Sequence, residues 1–195
     1  MEMISPFVYR KYLDFSAIDE IRRMKTRIDE KFKKDDIKRG YGGIREIEFF
    51  VQAIQLIYGG REPLLRERSI LKALHRLLQK NLVGHEDFSM LSGNYVFLRK
   101  LEHRLQQLND LQTHSIPTDE KELRSLGRKM GFPSRQSFIS ELERRRRMVR
   151  RIYDSLFIVK DAGHPKGAED FGIETPEATS DAEIFFSEEI TDSEM

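Results

Sequence analysis

The chain has 195 residues, with 34 Lys or Arg, 33 Asp or Glu and no Cys, which excludes disulfides and thiolate metal sites and suits a reducing cytoplasm. No run approaches the roughly 18 apolar residues of a membrane span, and the first twelve residues lack the apolar stretch of a signal peptide. The formal net charge of +1 conceals two opposed blocks, a net −10 in residues 161–195 and a net +11 in residues 1–160, so one basic domain with an acidic tail is expected.

Taken in chain order, the apolar spacing is helical throughout. Ile18, Ile21, Met24, Ile28 and Phe32 recur at three and four, followed by Ile44, Ile47, Val51, Ile54 and Tyr58, then Ile70, Leu74, Leu77 and Leu78. Leu91, Leu98, Leu101, Leu105 and Leu108 mark a long central helix, and Phe138, Leu142, Val149, Ile152 and Leu156 the last one. Gly59-Gly60 with Pro63, then Gly84, Pro117, and Gly131 with Pro133 separate these runs. Thr118 or Asp119 and Ser134 stand where N-caps belong. No alternating strand of useful length occurs, so the expected fold is an all-α bundle of five or six helices.

Between the first two helices lies Lys38-Arg39-Gly40-Tyr41-Gly42-Gly43-Ile44-Arg45, a glycine-rich turn opening directly into an amphipathic helix. Glycines permit φ > 0 and close backbone approach, and the helix start offers unpaired N–H groups. With Lys38, Arg39 and Arg45 adding positive charge, the segment suits a phosphate or another anion. Read as spacing alone it equally describes a tight turn packed in a crevice, since no Gly-Lys-Ser/Thr ending follows.

The residues themselves are more specific. Gly42-Gly43-Ile44-Arg45-Glu46-Ile47-Glu48-Phe49-Phe50-Val51-Gln52 resembles the signature that follows the nucleotidyltransferase domain in the family of glutamine synthetase adenylyltransferases, which both add and remove adenylyl groups. Pro6-Phe7-Val8-Tyr9-Arg10-Lys11-Tyr12-Leu13-Asp14-Phe15-Ser16 is similar to the family's lead-in. Gly59-Gly60-Arg61-Glu62-Pro63, Phe97-Leu98-Arg99-Lys100-Leu101-Glu102 and Asp110-Leu111-Gln112-Thr113-His114-Ser115-Ile116-Pro117 match in order. Arg45 and Glu46 in the signature resemble the N-terminal, adenylyl-removing unit rather than the C-terminal, adenylylating one.

The resemblance covers roughly residues 6–158 and implies residues 1–37 as lead-in helix and connector from the nucleotidyltransferase domain and 38–160 as the helical bundle, while composition makes 161–195 an acidic tail or linker. For the intact enzyme it implies phosphorolysis of adenylyl-tyrosine on glutamine synthetase, with Mg²⁺, ATP, ADP and phosphate, in the cytoplasm and under control of the PII signalling protein and glutamine. The uridylyltransferase of the PII protein shares this helical domain and is the alternative. A non-enzymatic basic module that binds an acidic partner is another. Nucleotidyltransferases of this fold seat two Mg²⁺ on a Gly-Ser turn and an Asp-x-Asp pair. The sequence contains no such segment, so this chain alone is expected to be inactive and to bind no cofactor. The adjacent Asp35 and Asp36 are expected to be a solvated pair at a helix end.

Two polar stripes run at helical spacing, Arg45, Glu48, Gln52 and Gln55 on one helix and Arg99, Glu102, Gln106 and Asn109 on the central one. Either they are half-buried ladders that bond to each other, since buried carboxylates require partners, or the first stripe and the glycine turn abut the catalytic domain and help shape its phosphate pocket. The candidate contact residues are therefore Lys38, Gly42, Gly43, Arg45, Glu46, Glu48 and Gln52. Arg144 to Arg147 with Arg150 and Arg151 read as a solvated face with one Arg turned inward, which makes nucleic acid an improbable partner. The five histidines lack metal-site spacing, and His114 reads as a helix-end cation. Beyond Asp161 the composition is that of a disordered segment, with Ile184-Phe185-Phe186 as its one apolar cluster.

Overall fold

A computed structural model describes residues 8–9, 15–31, 35–109 and 114–158. Among them are six α-helices: α1 (Phe15–Glu30), α2 (Ile44–Tyr58), α3 (Ile70–Gln79), α4 (His85–Asn109), α5 (Glu120–Lys129) and α6 (Arg135–Ile158). A 3₁₀ turn, Pro63–Leu65, links α2 to α3. The described part is all-α; its only β feature is an isolated bridge between Asp36 and Ser115. Phe32 and the acidic tail lie outside the described residues.

The core is built by α2, α4 and α6 with α3 and α5 closing its ends. Ile44, Ile47, Val51 and Ile54 line one face of α2, and Leu91, Leu98, Leu101 and Leu105 line α4. Phe138, Leu142, Val149, Ile152 and Tyr153 line α6, so the three apolar stripes meet as the 3.6-residue period requires. Phe49 sets its ring edge-on to Tyr153 at 5.6 Å, which fixes α2 against α6.

Helix ends fall where the punctuation places them. Asp119 caps α5 by accepting from the backbone N–H of Lys121 and Glu122. Ser134 Oγ accepts from Ser137 N–H at the start of α6. Gln55, on the polar ridge of α2, turns inward and donates to the carbonyls of Leu65 and Glu67 at 2.6 and 2.8 Å, stapling the 3₁₀ turn. Helix α1 differs from the rest. None of its described side chains is fully buried, and Ile21, Met24 and Ile28 are only partly covered by the core.

Candidate functional site

The turn before α2 is held in place from three sides. Asp36 is buried, not solvated, and its carboxylate accepts from the N–H of Lys38 and Arg39 at 2.7 and 2.9 Å. This corrects the solvated-pair expectation for Asp36, while Asp35 is exposed: a short acidic side chain satisfying local amides is an Asx turn, which needs no helix end. Ile37 N–H donates to the His114 carbonyl and Ile116 N–H to the Asp35 carbonyl, so the segment after α4 straps the turn down. Gly42 has φ +64°, and a Cβ there would overlap the backbone carbonyl of Arg146 on α6.

The glycines therefore serve a close approach of loop to helix. The amides at the start of α2 are already used: Gly43 N–H donates to Gly40, Ile44 N–H to Ile37 and Arg45 N–H to Lys38. An amide cradle for phosphate of the kind the spacing suggests is not offered by these three groups. Whatever anion affinity the segment has rests on its side chains.

Those side chains divide into two clusters, because Arg45 and Glu48 leave α2 on one side and Glu46 on the other. In the first, Glu102 of α4 is the centre. Its carboxylate is buried and faces Arg99 Nη1 at 2.5 Å, His114 Nδ1 at 3.3 Å and Lys38 Nζ at 4.0 Å. Glu48 lies beside it, 3.7 Å from Arg45, and the Tyr95 hydroxyl bonds to it from α4. Burial pushes the Glu48 carboxyl above its ordinary value, against the pull of Arg45, Arg99 and Lys38. Burial and Lys38 hold the His114 imidazole below its usual value. A histidine so placed favours its neutral form, which corrects the helix-end cation reading. Thus the two stripes meet, through Glu48 with Tyr95 and Arg99 and through Lys38 with Glu102. Gln52 and Gln106 lie half-buried on the same ridges, and the side chain of Asn109 lies outside the described residues.

The second cluster surrounds Glu46, which is 1% exposed. Arg150 of α6 donates to Glu46 Oε1 at 2.8 Å, to both oxygens of Asp29 on α1 at 2.9 and 3.0 Å, and to Asp154 at 2.9 Å. Lys25 of α1 donates to Asp154 at 2.7 Å and lies over the Tyr153 ring. One inward Arg is expected on α6, but three donate hydrogen bonds to other elements. Arg145 stacks on Phe97 at 4.4 Å and donates to Asn94, Arg146 donates to the Tyr41 carbonyl, and Arg150 forms the clasp. The signal was present: Arg146 and Arg150 continue the i, i+4 line from Leu142 along the core face.

The acidic and histidine side chains described form no group of three that could hold a metal ion. No described helix is long and apolar enough to cross a membrane. What remains partly open to solvent is the basic rim of the first cluster, Lys38, Arg45 and Arg99, on its carboxylate floor of Glu48 and Glu102.

The sequence family described as GlnD PII-uridylyltransferase matches residues 17–157. A bifunctional glutamine synthetase adenylyltransferase/adenylyl-removing enzyme of Stenotrophomonas maltophilia is 50% identical over 137 residues, covering 68% of this chain and 15% of its own length. The protein of the same description from Methylococcus capsulatus is 47% identical over 152 residues, 76% of this chain and 16% of its own. That from Nitrosococcus oceani is 44% identical over 161 residues, 80% of this chain and 17% of its own. The chain thus spans about one sixth of the length of these relatives.

Proposed function

Because this chain belongs to the family described as GlnD PII-uridylyltransferase, a helical domain that glutamine synthetase adenylyltransferases share, we propose that it is the helical-domain portion of such an adenylyltransferase and belongs to its adenylyl-removing half. The observation that carries the reading is the 44% identity held across 161 residues, 80% of this chain. The residues Arg45 and Glu46 at the start of α2 favour the adenylyl-removing unit over the adenylylating one.

In this reading the intact protein is a nucleotidyltransferase of the cytoplasm. It modifies a tyrosine of glutamine synthetase with AMP and removes that AMP by phosphorolysis, yielding ADP, under control of the PII protein. Mg²⁺, ATP and phosphate would be seated by carboxylates of a neighbouring nucleotidyltransferase domain, while in this chain the Asp36 carboxylate is spent on an Asx turn. The contribution of this chain is mechanical and electrostatic. The bundle holds the Lys38, Arg45 and Arg99 rim rigidly, where its surplus positive charge can meet the phosphate side of that domain.

Two measurements test the proposal. Incubated with adenylylated glutamine synthetase, phosphate and Mg²⁺, the purified chain should release no ADP above blank; sustained release would overturn the division of labour. Arg45→Ala placed in a full-length relative should slow adenylyl removal by on the order of tenfold, equivalent to about 1.4 kcal/mol of transition-state stabilisation, while adenylylation continues. Transfer of UMP to the PII protein by the intact protein, with no action on glutamine synthetase, would favour the uridylyltransferase alternative instead.

A further inference from the structure

We propose that α1 is a docked arm whose hold on the bundle is coupled to a single proton on Glu46, with Arg150 as the clasp they share. The proposal does not depend on the functional reading above. Its basis is the way α1 is attached. Its apolar stripe of Ile21, Met24 and Ile28 is only partly covered against the core, and no described side chain of α1 is fully buried. Its specific contacts to α6 are charged: Lys25 to Asp154 at 2.7 Å, and the two-pronged grip of Arg150 on Asp29. A planar guanidinium gripping both oxygens fixes angle as well as distance, so Arg150 sets the pose of α1.

Arg150 is also asked to neutralise Glu46. Around the pair stand Lys25 and Asp29 from α1, Arg146, Tyr153 and Asp154 from α6, and the Tyr41 ring from the turn. Arg146 is drawn to Glu46 but gives its Nε to the Tyr41 carbonyl. Glu46 Oε2 is buried with no hydrogen-bond partner, an expensive place for half of a carboxylate charge. A proton relieves it. Burial foremost, and Asp29 in addition, push the Glu46 carboxyl up to about 7, past the opposing pull of Arg150 and the Gly42 amide.

The coupling then follows from reciprocity. If bringing Asp29 beside Glu46 strengthens proton binding there, the proton strengthens the docking of Asp29 by the same factor. With Glu46 neutral, Arg150 serves Asp29 and Asp154. With Glu46 ionised, Asp29 is repelled and must share the guanidinium. The sign is fixed: docking is favoured on the acid side of neutrality and weakened as pH rises through about 7.

Absence of native Cys makes the test clean. Spin labels on Arg23→Cys of α1 and Arg147→Cys of α6, both at exposed positions, report the distance between the two helices by pulsed electron resonance. In the otherwise unaltered chain the ratio of docked to displaced arm should fall by roughly threefold or more from pH 6 to pH 8, within the hundredfold that one proton allows over two pH units. Glu46→Gln keeps the shape without the charge and should hold the arm docked across that range. Arg150→Met should displace the arm at both pH values. An unchanged distance distribution in the parent chain, or a Glu46→Gln chain that responds to pH as the parent does, overturns the proposal. The glutamine variant alone decides the matter should Arg150→Met fail to fold.

Discussion

Arg45 and Glu48 lie one turn apart on α2 and pair at 3.7 Å, but their surroundings give them opposite dispositions. The Arg45 side chain keeps access to solvent and an ion pair of that kind contributes about 0–1 kcal/mol, so Arg45→Ala should leave thermal unfolding of this chain nearly unchanged. Glu48 bonds to Tyr95 and lies over Glu102, the carboxylate on which Arg99, Lys38 and His114 converge. Glu102→Ala should destabilise the chain by about 3 kcal/mol, because two cations lose the buried charge that compensates them, and Glu48→Ala by a smaller amount of the same sign. Urea unfolding of the three variants orders them. A chain with Arg45→Ala as the weakest of the three would overturn both this ranking and the placing of Arg45 at a rim.

At the scale of elements the seam between the glycine turn and α6 carries the arrangement. Gly42 meets the Arg146 backbone so closely that a methyl group must displace one of them, and its φ of +64° penalises any other residue besides. Gly42→Ala should therefore cost on the order of 3 kcal/mol, from left-handed strain plus overpacking. Gly93, in the middle of α4, has open space where its Cβ would stand, so Gly93→Ala should instead stabilise by roughly 0.5–1 kcal/mol through helix propensity. Opposite shifts in the chemical-denaturation midpoint for the two changes are the expected result. The same seam explains why the turn is poor in free amides: a loop pressed against a helix must satisfy its own N–H groups internally.

For the whole molecule the dominant long-range fact is charge segregation. Residues 161–195 lie outside the described residues, but their net −10 is tethered to a net +11, which raises the effective concentration of one for the other. Contacts of that sort are screened over about 8 Å at physiological salt and add little stability. Deleting residues 161–195 should increase retention on an immobilised polyanion at low salt, with the melting temperature nearly unchanged. Equal retention of both forms would show that the tail does not shield the bundle.

Much of this architecture follows from the amino-acid sequence without further help. The helices and their inward faces are local properties, since a residue such as Leu98 or Val149 is directed at the core by the 3.6-residue period of its own element. Asp119 and Ser134 are caps for an equally local reason, an oxygen two or three residues before the amides it satisfies. The resemblance to a family likewise resides in consecutive residues. Tertiary structure alone decided which charges meet. Glu46 and Glu48 stand two apart on one helix, yet one faces Arg150 from a helix about a hundred residues on and the other faces the α4 stripe. Nothing in the spacing of Arg144 to Arg151 announces that Arg150 would serve α1 and α2 together, or that Asp36 would be buried under the strap from His114. Apolar burial is legible because it depends on one element's period. Charge pairing is not, because its energy depends on the solvent exclusion and the partners that the other elements supply.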